Sequence, residues 1–142
     1  MSLSIAQIHW SFDSDEPLCA SDGQSKFKFH TAKRNIELVE GISGKGIRTD
    51  GYSCFLEADP EEEIRSVSGC FALESFPTDT ASLLGIKGGE HALAVSVDRF
   101  GGLHLEVGEG QKVSYYPLHK NIRRFEWFQI ALSVADGIPA VS

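Results

Sequence analysis

Alternation of apolar and polar residues constrains the fold of this chain more than any single motif does. Ile8, Trp10 and Phe12 alternate with His9 and Ser11, and Phe27 and Phe29 with Lys26, Lys28 and His30. The same period recurs at Val67, Gly69, Phe71, Leu73 and Ser75, set against Cys70, Ala72 and Glu74. It returns at Leu93, Val95 and Val97 among Ala92, Ala94 and Ser96. Residues two apart in an extended chain share a face, so this period predicts strands with one buried side. Leu83-Leu84-Gly85-Ile86 is continuously apolar, which predicts a strand covered on both sides.

Turn residues punctuate these runs at short intervals. Gly88-Gly89, Arg99 to Gly102 and Gly108 to Gly110 divide a meander from about Leu83 to Pro117. A strongly apolar strand is expected from Phe125 to Val134, ending at Asp136-Gly137. Two short stretches offer a helical turn, Asp59 to Ile64 with Asp59 as cap and Pro60 following it, and Thr80 to Leu84. The pattern as a whole predicts an all-β chain, a sandwich or jelly roll of antiparallel sheets in a single domain over residues 1–142.

The segment Gly41 to Leu56 adds a local signal. Four glycines at 41, 44, 46 and 51 and an Asp50-Gly51 pair lie between runs read as strands, Gly46 to Thr49 and Tyr52 to Leu56. Asp-Gly between extended runs favours a tight hairpin, here entered through a glycine-rich loop. The loop is not a phosphate cradle, because Lys-Ser/Thr and a following helix are missing.

Composition excludes several functions. The hydrophobic share of 42% and the charged share of 23% are those of a folded domain. A net charge of −7 argues against nucleic acid as a partner, since phosphates call for clustered Lys and Arg. The one basic cluster, Lys120 to Arg124, reads as a solvated strand edge. No run reaches the ~20 apolar residues of a membrane span. The N-terminus lacks the charged and apolar regions of a secretory leader. Cys19, Cys54 and Cys70 show no Cys-x-x-Cys spacing, and Cys54 and Cys70 read as buried free thiols in strands.

The candidate sites are sparse. Glu57-Ala58-Asp59-Pro60-Glu61 would align Glu57, Asp59 and Glu61 on one strand face, ~6–7 Å apart. A retaining glycosidase needs two carboxyl groups ~5–5.5 Å apart, so these are the candidate catalytic residues. Pro60 fits a sheet poorly, and Glu62 and Glu63 extend the segment into an acidic turn; the reading preferred is a polar loop. His104 and Glu106 share a strand face at a spacing compatible with two metal ligands, without a third, so no metal site and no cofactor is assigned. No Gly-x-Ser-x-Gly elbow is present. Aromatic rings grip sugars through their apolar faces, which makes Tyr115, Tyr116 and Phe100 the candidate ligand-binding residues. Neighbouring Tyr115 and Tyr116 should point to opposite faces, Phe100 should sit at a hairpin tip, and Trp10 and Trp127 are assigned to the core.

Trp10 and Phe12, Gly-Ile-Ser-Gly-Lys-Gly at 41–46, Asp-Gly-Tyr-Ser at 50–53, Phe-Ala-Leu-Glu-Ser-Phe-Pro-Thr at 71–78 and Trp127-Phe-Gln-Ile-Ala131 occur in an order that resembles the concanavalin A-like, laminin-G-type jelly roll. More narrowly, the chain is similar to the N-terminal accessory sandwich of bacterial multidomain proteins of glycoside hydrolase family 32. Cys70 departs from that pattern, standing where such domains carry a tryptophan. The Asn-Asp-Pro-Asn-Gly segment of the family's catalytic propeller is absent. The resemblance implies a non-catalytic accessory module, binding carbohydrate or packing beside a catalytic domain of the same longer protein. It also implies a secreted, periplasmic or cell-surface location, with further strands after Ser142 to close the sandwich. Calcium is compatible with the resembled fold, but no acidic cluster here has a suitable spacing. A purely structural interdomain module and an independent glycosidase using Glu57, Asp59 and Glu61 are the alternatives.

Overall fold

The computed structural model describes residues 9–13, 20, 28–30, 37–49, 55–58, 64–88, 91–135 and 138–142. Within them every regular element is a strand and every pairing is antiparallel, so the chain is all-β. The strands are β1 Lys28–His30, β2 Glu37–Glu40, β3 Lys45–Arg48, β4 Phe55–Glu57, β5 Ser66–Phe71, β6 Thr80–Gly88, β7 His91–Asp98, β8 Gly102–Glu109, β9 Lys112–Asn121, β10 Phe128–Ala135 and β11 Ile138–Val141. No helix among the described residues is long and apolar enough to cross a membrane. The chain divides into two compact units, Met1–Glu62 and Glu63–Ser142.

In the first unit β2 pairs with β3 and β1 with β4. This corrects the expected hairpin around Asp50-Gly51. The ladder of β3 faces β2, and the turn that joins them is Gly41 to Gly44, where Gly41 N–H donates to the Gly44 carbonyl at 2.8 Å. Asp50 to Cys54 lie outside the described residues. The turn is fixed from a distance, because the Asp13 carboxylate accepts the Lys45 N–H at 2.6 Å. Gly44 has φ +77°, and a Cβ there would lie 2.5 Å from Asp13 Oδ1, so glycine alone suits both the backbone and the space. Trp10 and Phe12 are half-buried but not in a strand, with Phe12 at φ 63°. The alternation at 9–12 is therefore that of an irregular segment.

The second unit is a β-sandwich. A three-stranded sheet, β11-β10-β5, packs against a four-stranded meander, β6-β7-β8-β9, which follows the predicted course. Val95, Val97 and Leu103 of the meander meet Ile130 of β10 in the core. Leu83, Leu84, Phe71, Phe128 and Leu118 pack around them. Complete burial of a Val or Leu side chain contributes ~1.5–3 kcal/mol, so this small set carries much of the unit's stability. Thr80 to Leu84 is strand rather than helical turn, because each residue but Leu83 finds a partner on β7. The register slips between Ser82 and Leu84, and the bulge lets Leu83 and Leu84 both reach the core. The run is half-buried rather than covered on both sides, since β6 is a sheet edge.

The Phe125–Val134 expectation is corrected at its start. β10 begins at Phe128, opposite Phe71, where β5 ends. The two rings tilt against each other with centroids 6.0 Å apart. Cys70 is exposed rather than buried, because edge strand β5 turns alternate side chains outward. Cys19 and Cys54, and Asp59 to Glu63 of the other expected helical turn, lie outside the described residues.

Leu132 is fully buried on the central strand β10, between Val67 and Val141. Leu132→Ala is expected to lower stability by ~2–5 kcal/mol in urea unfolding, against less than about 0.5 kcal/mol for exposed Val113→Ala. Gly44→Ala should cost about 1 kcal/mol or more and speed amide exchange in the β2–β3 hairpin. An unchanged exchange pattern would refute the role given to Gly44.

Candidate functional site

The expected site residues occupy separate places. Glu57 lies exposed at the end of β4, opposite Lys28. Asp59 and Glu61 lie outside the described residues. Tyr115 and Tyr116 are both exposed on β9, so neither ring of the pair enters the core. The reason is sheet width. The meander is one strand wider than the sheet it packs on, and β9 contributes only Leu118, with Ile122 just beyond it, to the core.

His104 and Glu106 are each engaged. His104 Nε2 lies 2.8 Å from Asp98 Oδ2, and the Ser82 hydroxyl donates to Glu106 Oε2 at 3.2 Å. No three His, Cys, Asp or Glu side chains among the described residues converge to hold a metal. Ser96 stands across from His104, but its Oγ is buried and finds no hydrogen-bond partner. A serine closed off from any substrate does not act as a nucleophile.

The chemically distinctive surface is one end of the Glu63–Ser142 unit, where the β7–β8 hairpin meets the β9–β10 connection. Asp98 organises the hairpin. Its Oδ1 accepts the N–H groups of Phe100 at 2.8 Å and Gly102 at 2.9 Å, while Oδ2 faces His104. The hydrogen bond with His104 holds the Asp98 carboxyl below its ordinary value, and the Gly102 and Phe100 amides add to the effect against partial burial. Gly101 closes the turn at φ +82°, with Phe76 and the Ile122 carbonyl packed where a Cβ would stand. Phe100 is left at the tip, 74% exposed as its position predicts, with the Arg99 guanidinium 5.0 Å from its ring centre.

The β9–β10 connection is tied to this hairpin and to the chain beyond β5. Ile122 N–H donates to the Gly101 carbonyl at 2.8 Å, and Phe125 N–H to the Leu73 carbonyl at 2.8 Å. Phe125 has φ 64°, a left-handed conformation rare for a bulky residue, and its ring is 70% exposed. Arg124 lies over that ring at 5.8 Å. Trp127 is 42% exposed, which corrects its assignment to the core: it precedes β10 and escapes the inward alternation. An open pocket of ≈ 190 Å³ is lined by Asn121, Ile122, Arg123, Glu126, Trp127 and Phe128. Arg123 and Arg124 thus belong to a pinned loop, not to the solvated strand edge expected of the basic cluster.

Phe125 and Trp127 escape sequence reading because their exposure depends on where β5 stops and on a positive φ. The available signal was the basic run interleaved with aromatics, Arg123 to Trp127. Comparison with protein-family models, curated proteins and solved structures finds no match to this chain.

Because the Asp98 pKa is depressed by folding, its stabilising contribution is complete above the ordinary aspartate value of 3.8 and is lost as pH falls through the lower folded value. Asp98→Asn should therefore melt below the wild type at neutral pH, and the gap should close in acid below that value. Parallel melting curves at all pH values would contradict the clamp.

Proposed function

We propose that this chain is a non-catalytic β-sandwich module that binds a saccharide through the aromatic loops at one end of its Glu63–Ser142 unit. The observation that carries the reading is Phe125, a large ring 70% exposed on a backbone at φ 64°. An apolar side chain held in water from a strained conformation gains nothing for the fold, and such strain is concentrated where proteins bind or act. Phe100 and Trp127 support it as further exposed rings on hydrogen-bonded segments. Rings held in place stack on the C–H faces of sugars with little loss of side-chain entropy, while Asn121 and Glu126 offer polar groups to the hydroxyls.

The role as accessory module of a secreted glycoside hydrolase rests on the resemblance to the concanavalin A-like, laminin-G-type jelly roll. The order of motifs from Trp10 to Ala131 supports it. On this reading Tyr115 and Tyr116 lie apart from the site, since Tyr116 is five residues from the end of β9, roughly 15 Å away.

Calorimetric titration with fructan, β-glucan and pectic oligosaccharides tests the reading. Saturable binding in the millimolar range or tighter is expected, with Trp127→Ala and Phe125→Ala each weakening it about tenfold, ~1.4 kcal/mol. No saturation with any of these sugars would leave the purely structural role. Loss of binding in Tyr115→Ala or Tyr116→Ala with both loop variants unaffected would move the site to β9.

A further inference from the structure

Three arginines gather at the aromatic end of the Glu63–Ser142 unit, in a stretch that also holds the exposed carboxylates Glu74, Asp79 and Glu126. The whole sequence has a net charge of −7, yet Arg99, Arg123 and Arg124 gather on the two tied segments beside Phe100, Phe125 and Trp127. Glu126 is the carboxylate within the β9–β10 connection, and it meets Arg123 only at 3.9 Å, both side chains being largely exposed. Asp98, at the base of the hairpin, is committed to His104 and to backbone amides. Arg99 and Arg124 have no carboxylate partner among the described residues.

Two of the arginines stand over the rings that follow them, Arg99 over Phe100 and Arg124 over Phe125. A guanidinium held near a ring face is attracted to it through its charge, and its planar fork of N–H donors suits a planar two-oxygen acceptor. Ring and fork together fit a ligand with an apolar ring face and a carboxylate at its rim. From this geometry we infer that the bound saccharide is anionic, a chain of uronic acid residues, with Arg99, Arg123 and Arg124 receiving the carboxylates.

The inference rests on the saccharide-binding reading above and adds the ligand's charge to it. The ≈ 190 Å³ pocket beside Trp127 lies below the ~300–1,000 Å³ typical of enclosed ligand sites. It suits one ring of a chain lying across an open end rather than a swallowed small molecule. A nucleic acid would also offer rings and anions, and its binding is one of the outcomes the test below separates.

The test compares tetragalacturonate with its methyl ester, which keeps the sugar rings and removes the charge. Tetragalacturonate should bind about tenfold more tightly, and added salt should erode the difference. In the double variant Arg99→Gln, Arg124→Gln the preference should vanish while the ester still binds. Arg124→Lys, which keeps the charge but loses the fork, should lose part of it. Lys112→Gln, at the far end of β9, should change nothing. All three variants should keep the wild-type circular dichroism. Equal affinity for acid and ester, or binding confined to neutral fructan or β-glucan, overturns the inference and leaves the saccharide reading standing. Absence of binding to every sugar removes both. Binding of inorganic phosphate or a short oligonucleotide at least as tight as that of tetragalacturonate also overturns it.

Discussion

The cross-sheet contact of Val95, Val97 and Leu103 with Ile130 is the constraint on which the Glu63–Ser142 unit depends. Since a strand shows alternate residues to one face, fixing these four fixes the register of the meander against β10. A shift by one residue would place Asp98, His104 or Gln129 in the core. Everything at the loop end follows from that register. Asp98 falls at the last position of β7 and Gly102 at the first of β8, leaving a loop short enough for one carboxylate to span. The sheets' unequal width follows as well, and it leaves Tyr115 and Tyr116 in water on both faces of β9.

What was legible in the sequence is what period two can express. The meander and the hairpin tip at Phe100 are set by local alternation and by glycine and appear where the pattern puts them, while the strand through Phe71 stops there although the alternation runs on to Ser75. The Asp50-Gly51 hairpin shows the limit of that reading. An Asp-Gly pair is a strong local preference, but β3 pairs with β2 across Gly41 to Gly44. There the decisive group, Asp13, is distant in sequence. A carboxylate that satisfies a backbone N–H from 32 positions away leaves no mark on the local pattern.

The candidate site was harder to read for a related reason. Trp127 and Phe125 belong by hydrophobicity to the strand that follows them, and alternation would send one set of those rings inward. Their exposure follows from the end of β5. Without a partner beyond Phe71, β10 cannot extend toward Phe125, and the Phe71–Phe128 ring contact marks the boundary. The chain before it is then free to turn, and the Phe125 N–H finds the Leu73 carbonyl instead of a ladder partner.

That turn makes the loop end a surface already formed. A left-handed conformation costs a non-glycine residue about 1–2 kcal/mol, and here it is held by the Leu73 hydrogen bond and by the Gly101–Ile122 bond at the start of the connection. The cost falls on folding rather than on binding, so a ligand that meets Phe125 and Arg124 need not order them. The hairpin side is arranged likewise, with Asp98 holding the backbone that carries Arg99 and Phe100. Two segments stiffened by separate means and joined by one hydrogen bond can present two ring–guanidinium pairs without further ordering. A ligand that meets both pairs at once makes the second contact without a further entropic cost of assembly.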